Sequence, residues 1–233
     1  MTELAVLVPV LNRPQNVAPL VESFLVGCPE DSQLWFIVNA NDYDEYGEVR
    51  EHRGKRVDYL FADGTTWASK INRGTDCVSS ADWYLCAADD VTFTPGWWEA
   101  TKELRDDERI GVIGTNDSTT GTGNPRVLAG EHTCHPLVRR SYIETCGTID
   151  TPGLAVHPGY QHWCVDDELV WTAKLRNAWA FCRDAVIEHH HPFWKPNEVA
   201  WDDTYAKGDA NKEADMALWL YRAEHVLGLR VQK

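Results

Sequence analysis

Every position from Leu4 to Val10 is apolar, and this run constrains the fold more than any other feature of the sequence. A strand with one wet face alternates apolar and polar residues. A strand without alternation is buried on both faces and needs a layer of helix on each side of its sheet. The helix follows at once, because Val17, Leu20, Val21, Phe24 and Leu25 recur at i, i+3, i+4, i+7 and i+8 after the break at Asn12-Arg13-Pro14. Gln33 to Val38 and Val57 to Ala62 read as further strands, ending at the polar stretch Asn39-Ala40-Asn41-Asp42 and at Asp63-Gly64. Trp67, Ile71 and Val78 mark one face of a second helix, in which Gly74 permits close packing, and Asp82 to Ala88 is a fourth strand ending at Asp89-Asp90. This alternation predicts an α/β fold, a mostly parallel central sheet with helices on both faces. Ligands of such sheets bind beyond the carboxyl ends of the strands, so the polar clusters there should converge on one crevice.

The second half is less periodic. Ile110 to Gly114 reads as a short strand, Asp117 to Gly130 as a loop rich in Gly, Thr and Asn, Asp167 to Leu175 as a helix and Ala185 to His191 as a strand. Phe193 to Asn211 shows no period and contains Pro196 and Gly208, so it reads as a mobile loop. Its aromatics Trp194, Trp201 and Tyr205 are poorly suited to permanent exposure, which predicts a lid that closes over ligand. Met216, Trp219, Leu220, Ala223 and Leu227 form the stripe of a last helix, stopped by Gly228. With no repeat or linker, residues 1–233 are expected to form one domain, with a nucleotide-binding half at 1–115 and an acceptor-facing half at 116–233.

The net charge of −14 argues against broad, salt-driven binding to nucleic acid. No apolar run reaches the ~18 residues of a membrane span and no leader pattern opens the chain, so a soluble, cytoplasmic protein with no membrane partner is the expectation. The seven cysteines (28, 77, 86, 134, 146, 164 and 182) contain no CxxC pair, which fits a reducing compartment and buried thiols better than disulfides or a zinc site. The eleven tryptophans exceed ordinary core needs and suit a protein that stacks flat ligands, although any single one is more readily explained by packing.

Three constellations carry potential chemistry. Asp89-Asp90 at the mouth of a buried strand is electrostatically costly unless a cation neutralises it, and Mg²⁺ or Mn²⁺ bridging to a diphosphate would do so; a helix cap or solvated turn is the bland alternative. In His189-His190-His191, strand alternation puts His189 and His191 on one face and His190 with Glu188 on the other; the first two could supply a metal ligand and its partner, or be a satisfied pair. Asp166-Asp167-Glu168 opens a helical pattern and could hold a general base, or merely favour the helix dipole. Arg13, Lys70 and Arg73 could face a diphosphate. No Walker loop and no GxGxxG are present, which counts against P-loop enzymes and Rossmann dehydrogenases.

Taken in order, these segments resemble the family 2-like glycosyltransferases of the GT-A fold, and more narrowly the small members encoded by bacteriophages. Val8-Pro9-Val10-Leu11-Asn12-Arg13-Pro14 is similar to the family's first strand and nucleotide-binding turn, and Lys70-Ile71-Asn72-Arg73-Gly74 to its basic helix. Ala88-Asp89-Asp90-Val91 resembles the metal segment, with Ala88 where many relatives carry an acid. Thr133-Cys134-His135-Pro136-Leu137 and Val165-Asp166-Asp167-Glu168 resemble the acceptor region and the base motif, the latter with Val-Asp-Asp in place of Glu-Asp. Val186 to Pro192 and Ala200 to Tyr205 resemble the closing histidine and lid segments. The resemblance implies transfer of a sugar from a nucleotide-diphosphate donor, a UDP-sugar foremost, to a hydroxyl with inversion, helped by Mn²⁺ or Mg²⁺. It implies metal binding by Asp90 with His189 or His191, Asp89 on metal or ribose, and Asp166 or Asp167 as base. Pro9, Leu11, Asn12, Arg13, Asn41 and Asp42 would surround the nucleoside, and Lys70 and Asn72 the diphosphate side. A protein or carbohydrate acceptor, such as a virion protein in a host cytoplasm, fits the acidic charge better than a hydroxylated DNA base. A nucleotidyltransferase would need a glycine-rich first loop, a metal-dependent hydrolase would act without a sugar donor, and a non-catalytic sugar-nucleotide-binding protein would need no base.

Overall fold

The computed structural model describes all residues except 1, 11, 40–42, 63, 119–122 and 230–233. The front half runs β1 (Thr2–Pro9), α1 (Val17–Gly27), β2 (Gln33–Asn39), α2 (Tyr43–Glu51), β3 (Val57–Ala62), α3 (Trp67–Cys77) and β4 (Ala81–Cys86). Next come β5 (Val91–Phe93), α4 (Trp97–Ala100), α5 (Lys102–Asp106), β6 (Val112–Asn116), α6 (Pro125–Leu128), β7 (Leu137–Arg139) and α7 (Arg140–Thr145). The chain closes with α8 (Val165–Leu175), β8 (Trp179–His189), α9 (Asp203–Ala210) and α10 (Lys212–His225).

One sheet holds these strands in the order β3-β2-β1-β4-β7-β6-β8-β5. Four of the seven pairings are parallel, namely β1 with β2 and β4, β2 with β3, and β6 with β8; β7 and β5 pair antiparallel with their neighbours. The mixed α/β class and mostly parallel sheet agree with the sequence. β1 lies between two parallel neighbours, and its unbroken apolar run serves both faces. Leu4, Val6 and Val8 pack with Val17, Leu20 and Phe24 of α1 and with Trp97, whereas Ala5 and Leu7 pack with Ile71, Tyr84 and Ile143 on the other side. Each such aliphatic side chain contributes roughly 1.5–3 kcal/mol on burial. Gly74 faces this second layer, and a Cβ there would lie 2.8 Å from Ile37 Cδ1 and 2.9 Å from Leu7 Cδ1.

Several expectations are corrected. The segment 193–211 is not without regular structure, since α9 occupies Asp203–Ala210. Asp202 caps it by accepting the backbone N–H groups of Thr204 and Tyr205. Gly208 is no helix breaker here, because a Cβ would lie 2.7 Å from the His162 ring, and its carbonyl accepts the Trp163 indole N–H at 3.1 Å. Glycine at this position permits α9 to approach the 160–164 segment. β8 starts six residues before the predicted strand and ends at His189, leaving His190 and His191 beyond it. In α10, Met216 and Leu220 are exposed, while the charged pair Asp215 and Arg222 is buried with Ala223. Asp215 accepts the backbone N–H groups of Gln161, His162 and Trp163, and Arg222 forks onto Glu168 and Asp150. Ala223 and Leu227 of the expected stripe are buried and Trp219 packs against the core, while the ion pairs and hydrogen bonds of Asp215 and Arg222 hold α10 from positions outside that stripe. Among the described residues, no helix is long and apolar enough to cross a membrane.

Candidate active site

Beyond the carboxyl ends of β1, β4 and β8 lies a cavity of about 750 Å³. Pro9 and Arg13 line it from the first turn, Lys70 from α3, Asp89 and Asp90 from the β4–β5 connection, and His189 and His191 from the end of β8. Asp166 and Asp167 face it from the first turn of α8, and Tyr205 from α9. Five separate stretches of chain thus bring predicted site residues to one crevice, with α9 as a sixth.

The acidic pair is buried. Asp89 and Asp90 side chains are 7 % and 8 % exposed, and two adjacent carboxylates at that depth cannot both ionise without compensation. Burial and the Asp90 charge push the Asp89 carboxyl up to about 7, although Arg13 opposes this from 3.1 Å. Burial would raise Asp90 too, but His189, Arg13 and a hydrogen bond from Tyr205 outweigh it and hold Asp90 below the usual carboxylate range. Tyr205 Oη donates to Asp90 Oδ2 at 2.8 Å. Asp90 Oδ1 is buried with no hydrogen-bond donor and lies 3.6 Å from His189 Nε2. An acceptor-only oxygen left bare beside an imidazole nitrogen fits a divalent cation, and a mixed carboxylate and imidazole set suits Mn²⁺, with Mg²⁺ served by the oxygens. His191 is placed differently. Its ring stacks on Phe193 at 5.3 Å and meets the Tyr205 ring edge at 4.7 Å, and burial with the neighbouring His189 lowers it to about 4.

Arg13, expected at the nucleobase end, lines the cavity with its guanidinium engaged by other side chains. Its guanidinium pairs with Asp89, donates to both carboxylate oxygens of Asp202 at 2.8 and 2.9 Å, and covers the Tyr205 ring at 3.7 Å. It therefore ties the first turn, the acidic pair and the cap of α9 together. Lys70 is buried and its ammonium donates to the Val10 carbonyl.

The wall formed by α8 holds the second pair of acids. Cys164 precedes the helix at φ +62°, a conformation that non-glycine residues rarely adopt, and this bend presents the first turn to the cavity. Asp166 Oδ2 lies 3.1 Å from Nε2 of buried His132, and Asp167 Oδ1 lies 2.6 Å from Arg126. Burial would raise Asp166, but the charge of His132 and the hydrogen bond to it prevail and lower it, while burial and Asp166 raise Asp167. Glu168, the third acid of this run, points away from the cavity and takes Arg222 at 2.7 Å and the Tyr160 hydroxyl at 2.8 Å.

Asn72 does not reach the cavity, because its amide donates to the Val156 carbonyl and accepts the Val156 N–H. Asn12 and Arg73 also lie outside the cavity lining, Arg73 beside Asp76 at 3.7 Å. Leu11, Asn41 and Asp42 fall outside the described residues. His132 and Arg126 went unnoticed in the sequence. Each partners an acid more than 30 residues away, and no local pattern reports such a pairing.

The fold is of the GT-A type. Residues 5–160 match the model of glycosyl transferase family 2, and the chain belongs to that family. No curated protein sequence matches it. Among solved structures, the mannosyltransferase PcManGT from Pyrobaculum calidifontis, in complex with GDP-Man and Mn²⁺, superposes with a TM-score of 0.63 at 11 % identity over 88 % of this chain. This chain spans only 59 % of that protein's length. Glucosyl-3-phosphoglycerate synthase from Mycobacterium tuberculosis, with Mn²⁺, UDP-glucose and phosphoglyceric acid, gives 0.62 at 12 % identity over 99 % of this chain and 81 % of its own. S. aureus TarS 1-349 with UDP-GlcNAc gives 0.64 at 11 % identity over 95 % and 72 %.

Proposed function

We propose that the cleft binds a nucleotide-diphosphate sugar, a UDP-sugar foremost, and transfers its sugar with inversion to a hydroxyl acceptor. The observation that carries this reading is the bare, buried Oδ1 of Asp90 beside His189, in one cavity with an ionised Asp166 on a separate element. Asp90 and His189 would hold a divalent cation, with Asp89 beside them. When bound, Mn²⁺ or Mg²⁺ supplies charge stabilisation to the leaving diphosphate. Asp166 is the general base of this reading. His132 keeps it ionised and oriented, so that it can take the acceptor proton as the hydroxyl attacks. Asp167 is the weaker candidate, because Arg126 occupies its outer oxygen.

Phe193, Trp194 and Tyr205 line the mouth, and the α9 segment that carries Tyr205 is fastened by Arg13 and Asp90. This supports a lid role in excluding water from the activated sugar. The net charge of −14 favours a protein or carbohydrate acceptor over DNA. The likeness to small phage-encoded members makes a virion protein, modified in the host cytoplasm, the specific form of this proposal.

Calorimetry of UDP-sugar binding tests the reading. Binding should require Mn²⁺ and should be lost in Asp90→Asn. Equal affinity in EDTA and in Mn²⁺ would overturn the metal assignment.

A further inference from the structure

We propose that Asp117, Cys134 and His189 form a second divalent-cation site, selective for a thiophilic ion such as Zn²⁺ and sharing only His189 with the Asp90 position. One ligand atom from each residue lies within 4.8 Å of the other two. The three come from different elements: Asp117 follows β6, Cys134 precedes β7 and His189 ends β8. The main chain fixes their relation. His189 N–H donates to the Asp117 carbonyl at 3.0 Å, and Thr115 N–H donates to the Thr133 hydroxyl at 3.1 Å, one residue from Cys134. Ligand atoms around a tetrahedral Zn²⁺ stand roughly 3.3–3.8 Å apart, so small side-chain rotations close the set.

The independent sign of a ligand is unsatisfied polarity. Asp117 is 1 % exposed, and among the described residues its carboxylate meets no nitrogen or oxygen donor, only the weakly donating thiol of Cys134. The Nδ1 atom of His189 is buried and unpartnered. A buried carboxylate held only by a thiol is costly, and a cation bound by both groups removes that cost. His189 Nε2 faces Asp90 and Nδ1 is unpartnered, so the neutral ring can serve either position through its one unprotonated nitrogen, and serving both at once would also release the ring proton. A neighbouring triad, His132, Cys134 and Asp166, competes for the same thiol. There, however, the imidazole and carboxylate already satisfy each other at 3.1 Å, and this favours the Asp117 set. The thiolate directs the site to Zn²⁺ rather than to Mg²⁺ or Mn²⁺, and binding replaces the S–H bond by a sulfur–metal bond with the proton released to solvent. Three protein ligands leave the fourth position to water from the cavity, which Cys134 lines.

Cadmium titration of the full chain, followed by the thiolate-to-Cd²⁺ charge-transfer band in the ultraviolet, tests the site. The band should saturate at one equivalent, vanish in Cys134→Ser and need at least about tenfold more Cd²⁺ in Asp117→Asn. It should persist in Asp90→Asn, which separates this site from the proposed transferase metal. A band that survives Cys134→Ser, or a Cd²⁺ affinity unchanged in Asp117→Asn, would overturn the proposal. X-ray absorption of the unmutated protein with one equivalent of Zn²⁺ gives a check independent of variant folding. One sulfur at about 2.3 Å with N/O ligands at about 2.0–2.1 Å is expected, whereas an N/O-only shell or two sulfurs would refute the site.

Discussion

Replacing Arg13 by Met should destabilise the protein by an amount that grows with pH. Methionine keeps the apolar stem and removes the guanidinium, which is 4 % exposed and bonded to Asp89 and Asp202. Losing the bonds to half-exposed Asp202 and the stacking on Tyr205 costs about 1–2 kcal/mol at any pH. Asp89 adds the pH-dependent part. Burial and Asp90 already push its carboxyl up to about 7 with Arg13 present, and removal of the cation pushes it higher. A carboxyl raised on folding takes up a proton in the native state. Stability therefore falls as pH rises from the unfolded to the folded value, by about 1.4 kcal/mol per pH unit. In the unmutated protein this loss levels off near pH 7, whereas in the variant it continues. The difference between the two proteins should thus be about 1–2 kcal/mol at pH 6 and about 2.5–3.5 kcal/mol at pH 8. Urea unfolding followed by tryptophan fluorescence at both pH values measures it. Equal differences at pH 6 and pH 8 would show that Arg13 does not control the Asp89 proton, and would refute the reasoning.

Asp166→Asn should keep nucleotide affinity and lose transfer by about 10²–10⁴-fold in single-turnover assays, and Asp167→Asn should lose far less. In that same Asp166→Asn protein, the His132 pKa followed by NMR should drop below the ordinary value of about 6.5, because Asp166 is what raises it against burial. In the unmutated protein the His132 share is fully present below about pH 6.5 and lost as pH rises through its raised folded value, whereas the Asp166 share is fully present above about pH 3.9 and lost as pH falls through its lowered folded value. Glu168→Gln should cost on the order of 3 kcal/mol in urea unfolding by weakening the buried pair with Arg222, yet leave kcat nearly unchanged, since Glu168 does not line the cavity.

Sequence alone determined the front of the molecule, because its signals are local. The unbroken run of β1, the 3.6-residue stripes of α1 and α3 and the acids at the end of β4 each follow from neighbours a few residues apart. The mixed sheet order, the short strands β5 and β7 and the helix α9 were decided by tertiary structure. Strands of three residues carry no period, and α9 is fixed by its Asp202 cap and by contacts from Arg13, Asp90 and His162. The partners of like residues were decided the same way. Asp166, Asp167 and Glu168 are equivalent in sequence, and only the tertiary structure sets one against the His132 imidazole, one against Arg126 and one, buried, against Arg222. Cys134 looked like an inert thiol because metal-ligand spacing is legible only when the ligands are near in the chain. Asp117 and His189 reach it through the sheet, where long-range strand pairing, rather than sequence separation, sets which side chains meet.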